Sequence, residues 1–254
     1  MTSFSLAGRQ ALVTGASRGI GARLAVGLAE AGADVVVTAR RAEDLAETVH
    51  AIDRLGRRSL AIACDVSGTA SIAAAAAAIA DAGWQPDILV NNAGHESVRP
   101  SVDVDEETWD RIVDTNLKGA FFVAQAFARP LIARGAGGAV VNVCSLTSGV
   151  GIPTATPYTS SKSGLLGMTR ALAAEWAPLG IRVNGIGPGY FRTAMTEGFY
   201  QDEGWQESML AKIPMGRFGQ LDDLVGATVF LASDAAGYIT GQLLYIDGGY
   251  MASI

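Results

Sequence analysis

Tyr158 and Lys162 stand one helical turn apart inside the unbroken helical pattern Pro157–Ala177, so their side chains share a face. That pair can move a proton. A tyrosine hydroxyl has a reference pKa of about 10, and a neighbouring ammonium favours the phenolate and lowers it. A phenol tuned in this way gives a proton to a carbonyl oxygen during reduction, or takes one from an alcohol during oxidation. Ser145 follows the apolar run Ala139–Cys144, where its hydroxyl can hold the same oxygen, and Ser148 is a rival for that place. Taken singly, each residue has a plainer reading. A Tyr/Lys pair is an ordinary surface pair in most helices, and Asn116 in Thr115-Asn116-Leu117 reads as a helix cap.

A second constellation lies near the start of the chain. The run Thr14-Gly15-Ala16-Ser17-Arg18-Gly19-Ile20-Gly21 joins a strand directly to a helix. Its glycines let the backbone turn sharply and approach a ligand, and the helix N-terminus offers N–H groups to a pyrophosphate. The spacing is G-x-x-x-G-x-G, a variant of the general dinucleotide fingerprint. After the second strand, where an acid would bind the ribose hydroxyls of NAD, the chain reads Thr38-Ala39-Arg40-Arg41. Arg40, with Arg18 from the glycine turn, suits a 2′-phosphate, so the expected cofactor is NADP(H). Asp65 and Val66, ending the third strand on the same sheet edge, are candidate adenine contacts.

The elements that must position these residues alternate along the chain. Apolar strand candidates fall at Ala11–Thr14, Asp34–Thr38, Ser59–Cys64, Ile88–Asn91, Ala139–Cys144, Arg182–Ile186 and Leu243–Ile246. They are short, continuous and rich in Val, Ile and Leu, as strands covered on both faces must be. Helical stretches separate them at Ile20–Ala31, Ala42–Leu55, Ala70–Ala82, Glu106–Phe127, Pro157–Ala177 and Asp222–Ala232. Repeated strand–helix–strand units predict an α/β, doubly wound (Rossmann) parallel seven-stranded sheet with helices on both faces. Residues 1–254 form a single domain in this reading. The one long irregular stretch, about 187–214, is expected to be a substrate lid.

Further strings join the two constellations: Asn91-Asn92-Ala93-Gly94, and Pro188-Gly189 followed by Phe191 and Thr193. Together with the glycine turn, Asn116, Ser145, Tyr158 and Lys162, they make the chain resemble the short-chain dehydrogenase/reductase family over nearly its whole length. The family places its serine 13 residues before the tyrosine, which selects Ser145. The resemblance implies that Asn116 holds a water linking Lys162 to solvent, and that Lys162 also binds the nicotinamide ribose. It further implies that Asn92 and Gly94 shape the floor beneath the cofactor, with Phe191 and Thr193 at its carboxamide. Within the family the chain is most similar to sugar-acid dehydrogenases of the gluconate 5-dehydrogenase kind and to 3-oxoacyl-carrier-protein reductases. A non-catalytic dinucleotide sensor on the same fold is the other class of reading, and it fits poorly because the tyrosine and lysine are both retained. His95 follows the Asn-Asn-Ala-Gly turn and is either a pocket residue or a solvent-facing one.

Composition narrows the partners. Hydrophobic residues make up 49% of 254 and the net charge is −6, with no Lys/Arg block. This disfavours nucleic acid and anionic membrane surfaces and leaves a small-molecule substrate. No run reaches the ~20 apolar residues of a membrane helix, and the N-terminus lacks a signal-peptide pattern, so a cytoplasmic location is expected. Cys64 and Cys144 read as buried free thiols, and no metal-ligand spacing is present. The resemblance implies a homotetramer paired through the two long helices, and apolar residues on those helices and in the C-terminal stretch Leu243–Ile254 fit such contacts. The segment about 187–214 leans acidic, with Glu197, Asp202, Glu203 and Glu207 against Arg192 and Lys212. An acidic rim suits a small free substrate better than an acidic carrier protein, and Tyr190, Phe191, Phe199, Tyr200 and Trp205 can close over it or pack the segment down.

Overall fold

A computed structural model describes residues 3–193 and 196–253. Ala194 and Met195 of the expected lid, Ile254 and the Phe199 side chain lie outside the described residues. Seven parallel strands form one sheet in the order β3-β2-β1-β4-β5-β6-β7. They are β1 (Gln10–Thr14), β2 (Asp34–Ala39), β3 (Ser59–Ala63), β4 (Ile88–Asn91), β5 (Gly138–Val143), β6 (Ile181–Pro188) and β7 (Leu243–Ile246). The order runs outward in both directions from β1 and β4, so a crevice opens at their carboxyl ends, where ligands bind in open α/β sheets.

Strand side chains alternate between two apolar layers. Ala11, Val13, Val35, Val37, Ile88 and Val90 face Leu24 and Leu28 of α1 (Gly19–Glu30), Ile52 of α2 (Ala46–Asp53) and Leu231 of α8 (Val225–Ala232). Leu12, Val36, Leu89 and Val140 face the other way. They meet Ile72 and Ile79 of α3 (Thr69–Asp81), Val123 and Phe127 of α5 (Ala120–Ala133), and Leu172 and Trp176 of α6 (Thr156–Trp176). The continuous apolar runs in the sequence are thus explained by burial on both faces, and the expected fold class is the one observed. The Asp105 carboxylate starts α4 (Glu106–Val113) by accepting the Thr108 N–H at 2.8 Å, and Pro157 sits in the first turn of α6, where its missing N–H costs nothing.

Two features depart from the sequence reading. The stretch read as one helix over Glu106–Phe127 is α4, a π-helical turn at Asp114–Gly119, and then α5, which continues past Pro130 to Ala133. The segment read as wholly irregular contains α7 (Glu203–Leu210), begun by the Asp202 carboxylate accepting the Trp205 N–H at 3.0 Å. Its eight residues carry too few periodic apolar positions to announce a helix.

Candidate active site

The carboxyl ends of β1, β4, β5 and β6 bring both constellations to one edge of the sheet. At β1 the glycine turn is held from beneath. Asn92 donates from Nδ2 to the carbonyls of Thr14 (2.9 Å) and Gly15 (3.0 Å), while Thr14 Oγ1 accepts the N–H groups of Asn92 and Ala93. Gly15 has a φ of +64°, and a Cβ there would lie 2.8 Å from Ala93 Cα. A Cβ at Gly21 would overlap Asn92 Nδ2 and the Gly15 carbonyl. These two glycines serve the close packing of the turn onto the β4 loop. Gly19 (φ +58°) faces a more open space whose nearest heavy atoms are those of the Thr193 side chain, at 3.9 Å. Arg18 caps α1 in an extended conformation and puts no side-chain hydrogen bond on it, so the first-turn N–H groups next to Ser17, Gly19 and Ile20 are not taken by a side-chain cap.

The two arginines after β2 have different surroundings. Arg41 pairs with Asp44 at 2.5 Å, whereas Arg40 is exposed and has no hydrogen bond or ion pair among the described residues. Asp44 is held below the usual carboxylate range by Arg41 first, then by the charges of Arg40 and Arg18, which therefore lie near one another. A free guanidinium beside a second cation and an open helix N-terminus is a fitting cradle for a phosphorylated dinucleotide. Asp65 is exposed, with its carboxylate occupied by Ser67 at 2.7 and 3.0 Å, and Val66 is buried.

The proton-handling residues converge beyond β5. Lys162 is only 4% exposed, its ammonium donates to the Val143 carbonyl at 2.7 Å, and it lies 5.6 Å from the centroid of the Tyr158 ring. Ser145 leaves β5 in an extended conformation, accepts the Thr147 N–H at 3.2 Å, and reaches the Tyr158 hydroxyl. Ser148 instead donates to the Lys162 carbonyl at 2.8 Å, so the rival serine fastens the backbone of α6. Asn116 lies in the π-helical turn, 1% exposed. Its Oδ1 accepts the His95 N–H at 2.7 Å, and its Nδ2 donates to the His95 carbonyl (2.9 Å) and to Ser161 Oγ (3.0 Å). Ser161 in turn donates to the Tyr158 carbonyl at 2.7 Å. Asn116 therefore ties the β4 loop to the helix that carries the tyrosine. Gly94 sits between them: a Cβ there would lie 3.5 Å from Asn116 Oδ1 and 3.7 Å from Lys162 Nζ.

Electrostatics correct one sequence expectation. Burial pushes the Tyr158 phenol above its ordinary value, and the nearby Glu96 carboxylate adds to this, against an opposing hydrogen bond from Ser145. Lys162 does not lower it. The lysine is itself pushed down to about 8 by burial, partly opposed by Cys144 and Glu96. Both groups are driven toward their neutral forms because burial is the largest influence on each. His95 is half-buried, and its pKa is lowered by burial, then by the charges of Arg111 and Arg40. Burial pushes both cysteine thiols up, Cys144 with Lys162 nearby, which disfavours thiolate chemistry at either.

After β6, Gly189 donates to the Ile246 carbonyl, and a Cβ on it would meet Asp247 at 2.7 Å, so Pro188-Gly189 is pinned to the end of β7. Phe191 is buried against Gly219, and its carbonyl accepts from Thr196 Oγ1 at 2.7 Å. Thr193 stands over the glycine turn. Tyr190, Tyr200 and Trp205 stack among themselves and with Phe218 and Tyr250, at centroid distances of 4.8 to 6.0 Å. These aromatics hold the segment together. Sequence reasoning missed Ser161 and Glu96, since only the fold brings them to the site, and it gave Thr14, at the head of the glycine turn, no role of its own.

The family profile described as enoyl-(acyl carrier protein) reductase matches residues 15–251. The chain is 41% identical over 251 residues to gluconate 5-dehydrogenase of Gluconobacter oxydans (strain 621H), covering 99% of this chain and 98% of that relative. It is 40% identical over 242 residues to 3-oxoacyl-[acyl-carrier-protein] reductase FabG of Staphylococcus aureus (strain Mu50), covering 95% and 97%. Among solved structures, a gluconate 5-dehydrogenase from Burkholderia cenocepacia J2315, in complex with NADP and tartrate, superposes with a TM-score of 0.95 at 39% identity, covering 99% of this chain and 98% of that one.

Proposed function

The chain belongs to the short-chain dehydrogenase/reductase family, and we propose that it reduces a ketone of a small free sugar acid, or oxidises the matching alcohol, with Tyr158 as the proton-transferring residue. It is an NADP(H)-dependent oxidoreductase acting between CH–OH and C=O. The observation that carries the reading is the convergence of Tyr158, Ser145 and Lys162 beside the glycine turn, at the crevice between β1 and β4. Bound there, the nicotinamide supplies or accepts the hydride. Gly15, Ser17, Arg18, Gly19, Ile20 and Gly21 receive the pyrophosphate, Arg40 the 2′-phosphate, and Asp65 and Val66 border the adenine. Asn92 and Gly94 form the floor, and Pro188, Gly189, Phe191 and Thr193 flank the nicotinamide.

On the substrate side, Ser145 holds the reacting oxygen and Tyr158 moves its proton. The Tyr158 phenol carries the proton that the developing alkoxide takes up during reduction, and accepts it back during oxidation. Lys162 binds the ribose and orients the tyrosine, while Asn116 fixes the loop and helix that frame them. The segment 187–214 closes over the substrate and excludes water.

The test is turnover. With NADPH, a keto-sugar acid such as 5-keto-D-gluconate should be reduced with a higher kcat/KM than a 3-oxoacyl group on acyl carrier protein. Support comes from the mouth, where Arg192 is engaged by Glu197 through two hydrogen bonds of 2.6 and 2.8 Å while Glu203 and Glu207 remain exposed. A large advantage for the carrier-linked substrate, falling steeply with salt, would overturn the reading.

Arg40→Asp should reverse the preference for NADPH over NADH, because it removes the one unpaired cation of the Arg40–Arg41 pair and offers the ribose hydroxyls a carboxylate. If wild type prefers NADH, the charge argument fails. We further place the protein in the cytoplasm, where its two unpaired cysteines stay reduced, and assign it a homotetramer. Phe121 and Phe122 on α5 are only partly buried, and Trp109 on α4 and Leu244 on β7 are exposed. Light scattering at micromolar concentration should give four times the chain mass; a monomer would refute the assignment.

A further inference from the structure

Glu96 is a charged side chain near the proton-handling residues, and the mechanism above leaves it without a task. It follows His95, whose N–H and carbonyl are both fastened by Asn116, so the loop that presents it has little freedom. It is half-buried, and among the described residues its carboxylate has no hydrogen bond and no ion pair. The same loop runs past the lysine, since a Cβ on Gly94, two residues before Glu96, would lie 3.7 Å from Lys162 Nζ, and the Glu96 charge acts on both Tyr158 and Lys162. Burial pushes its pKa up, and Lys162 opposes this by favouring the ionised form. The arginines of the flanking loops do not neutralise it: Arg99 pairs with Asp105 at 2.8 Å and Arg192 with Glu197 at 2.6 Å. A half-buried carboxylate that no protein group engages, at the edge of an active site, is free to accept a hydrogen bond from a ligand.

Resting on the sugar-acid reading above, we propose that Glu96 sets specificity by accepting a hydrogen bond from a hydroxyl on the carbon next to the reacting one. The substrate then carries its carboxylate at the far end, away from the carbonyl. A ketone flanked by hydroxyl-bearing carbons satisfies the Glu96 carboxylate. A 2-keto acid puts a second carboxylate in the same place, which has no proton to give and is repelled. Such a device selects by adding a favourable contact for one substrate and an unfavourable one for its rival.

Two positional isomers separate these cases at equal size and charge. In 5-keto-D-gluconate the carbonyl lies between two hydroxyl-bearing carbons; in 2-keto-D-gluconate it adjoins the carboxylate. With NADPH, wild type should favour the 5-isomer by about a hundredfold in kcat/KM. Glu96→Gln, whose amide donates to a carboxylate, should shrink that ratio by about tenfold or more, whereas Glu96→Asp should keep its sense. Melting temperature and NADPH affinity report whether each variant is folded. A ratio unchanged in Glu96→Gln, or a wild type that favours the 2-isomer, would overturn the role of Glu96 and leave the sugar-acid reading standing. If neither isomer is reduced, that reading falls and the proposal falls with it.

Discussion

Tyr158→Phe is expected to lower kcat/KM by about three orders of magnitude while folding and NADPH binding stay close to wild type. The change removes one oxygen and keeps the ring, so the packing of α6 against the β4 loop is preserved. The lost oxygen is the hydroxyl that reaches Ser145, on a ring whose centroid lies 5.6 Å from the Lys162 ammonium. General acid–base catalysis by a positioned side chain is worth about 10²–10⁴-fold, and without it solvent must supply the proton to an oxygen from which the closed site excludes water. The loss should appear in kcat, because the group acts on the transition state more than on the bound ketone. Stopped-flow measurement of NADPH oxidation, with a parallel binding titration, separates the two terms. A variant that turns over at near the wild-type rate would remove Tyr158 from the reaction.

The sequence makes most of this frame readable, for a physical reason. Strands buried on both faces need uninterrupted Val/Ile/Leu runs, so Asp34–Ala39 and Gly138–Val143 declare themselves within a residue or two. The glycine turn is legible because close packing on Ala93 and Asn92 tolerates no Cβ at Gly15 or Gly21. What stayed hidden depends on contacts between segments distant in the chain. The π-helical turn that seats Asn116 is invisible to hydropathy, since Glu106–Phe127 keeps its apolar spacing through it. Spacing to the tyrosine, through the family resemblance, selects Ser145 over Ser148, but that the Ser148 hydroxyl fastens the Lys162 carbonyl shows only in the fold. The direction of the Tyr158 shift was misjudged because a pair at i and i+4 reveals proximity but not burial, and here burial is the larger effect.

That same burial sets up an opposition at Lys162. Lys162→Met should abolish most turnover, weaken NADPH binding, and yet make the cofactor-free protein harder to unfold below about pH 8. Burial takes the lysine from an unfolded-state value of 10.5 down to about 8. A shift of that size corresponds to roughly 3 kcal/mol lost in holding the ammonium inside the folded chain. Methionine has similar length and no charge to desolvate. It forfeits the hydrogen bond to the Val143 carbonyl, which offsets about 1 kcal/mol, leaving a net gain of about 2 kcal/mol and a melting temperature higher by roughly 5 °C. Between pH 8 and 10.5 the unfolded wild type binds the proton that the folded one has released, so wild-type stability rises with pH through that window. The variant lacks this rise, so its advantage should vanish at pH ~9.5 and turn into a deficit of about 1 kcal/mol toward pH ~10.5, where the neutral lysine still donates to the Val143 carbonyl. Differential scanning fluorimetry of the two proteins from pH 6 to 10.5 reads the difference directly, with other titrating groups common to both. A variant less stable than wild type at every pH would make Lys162 a structural residue. Gain in stability with loss of turnover is what a cation kept in an apolar wall for its chemistry must show.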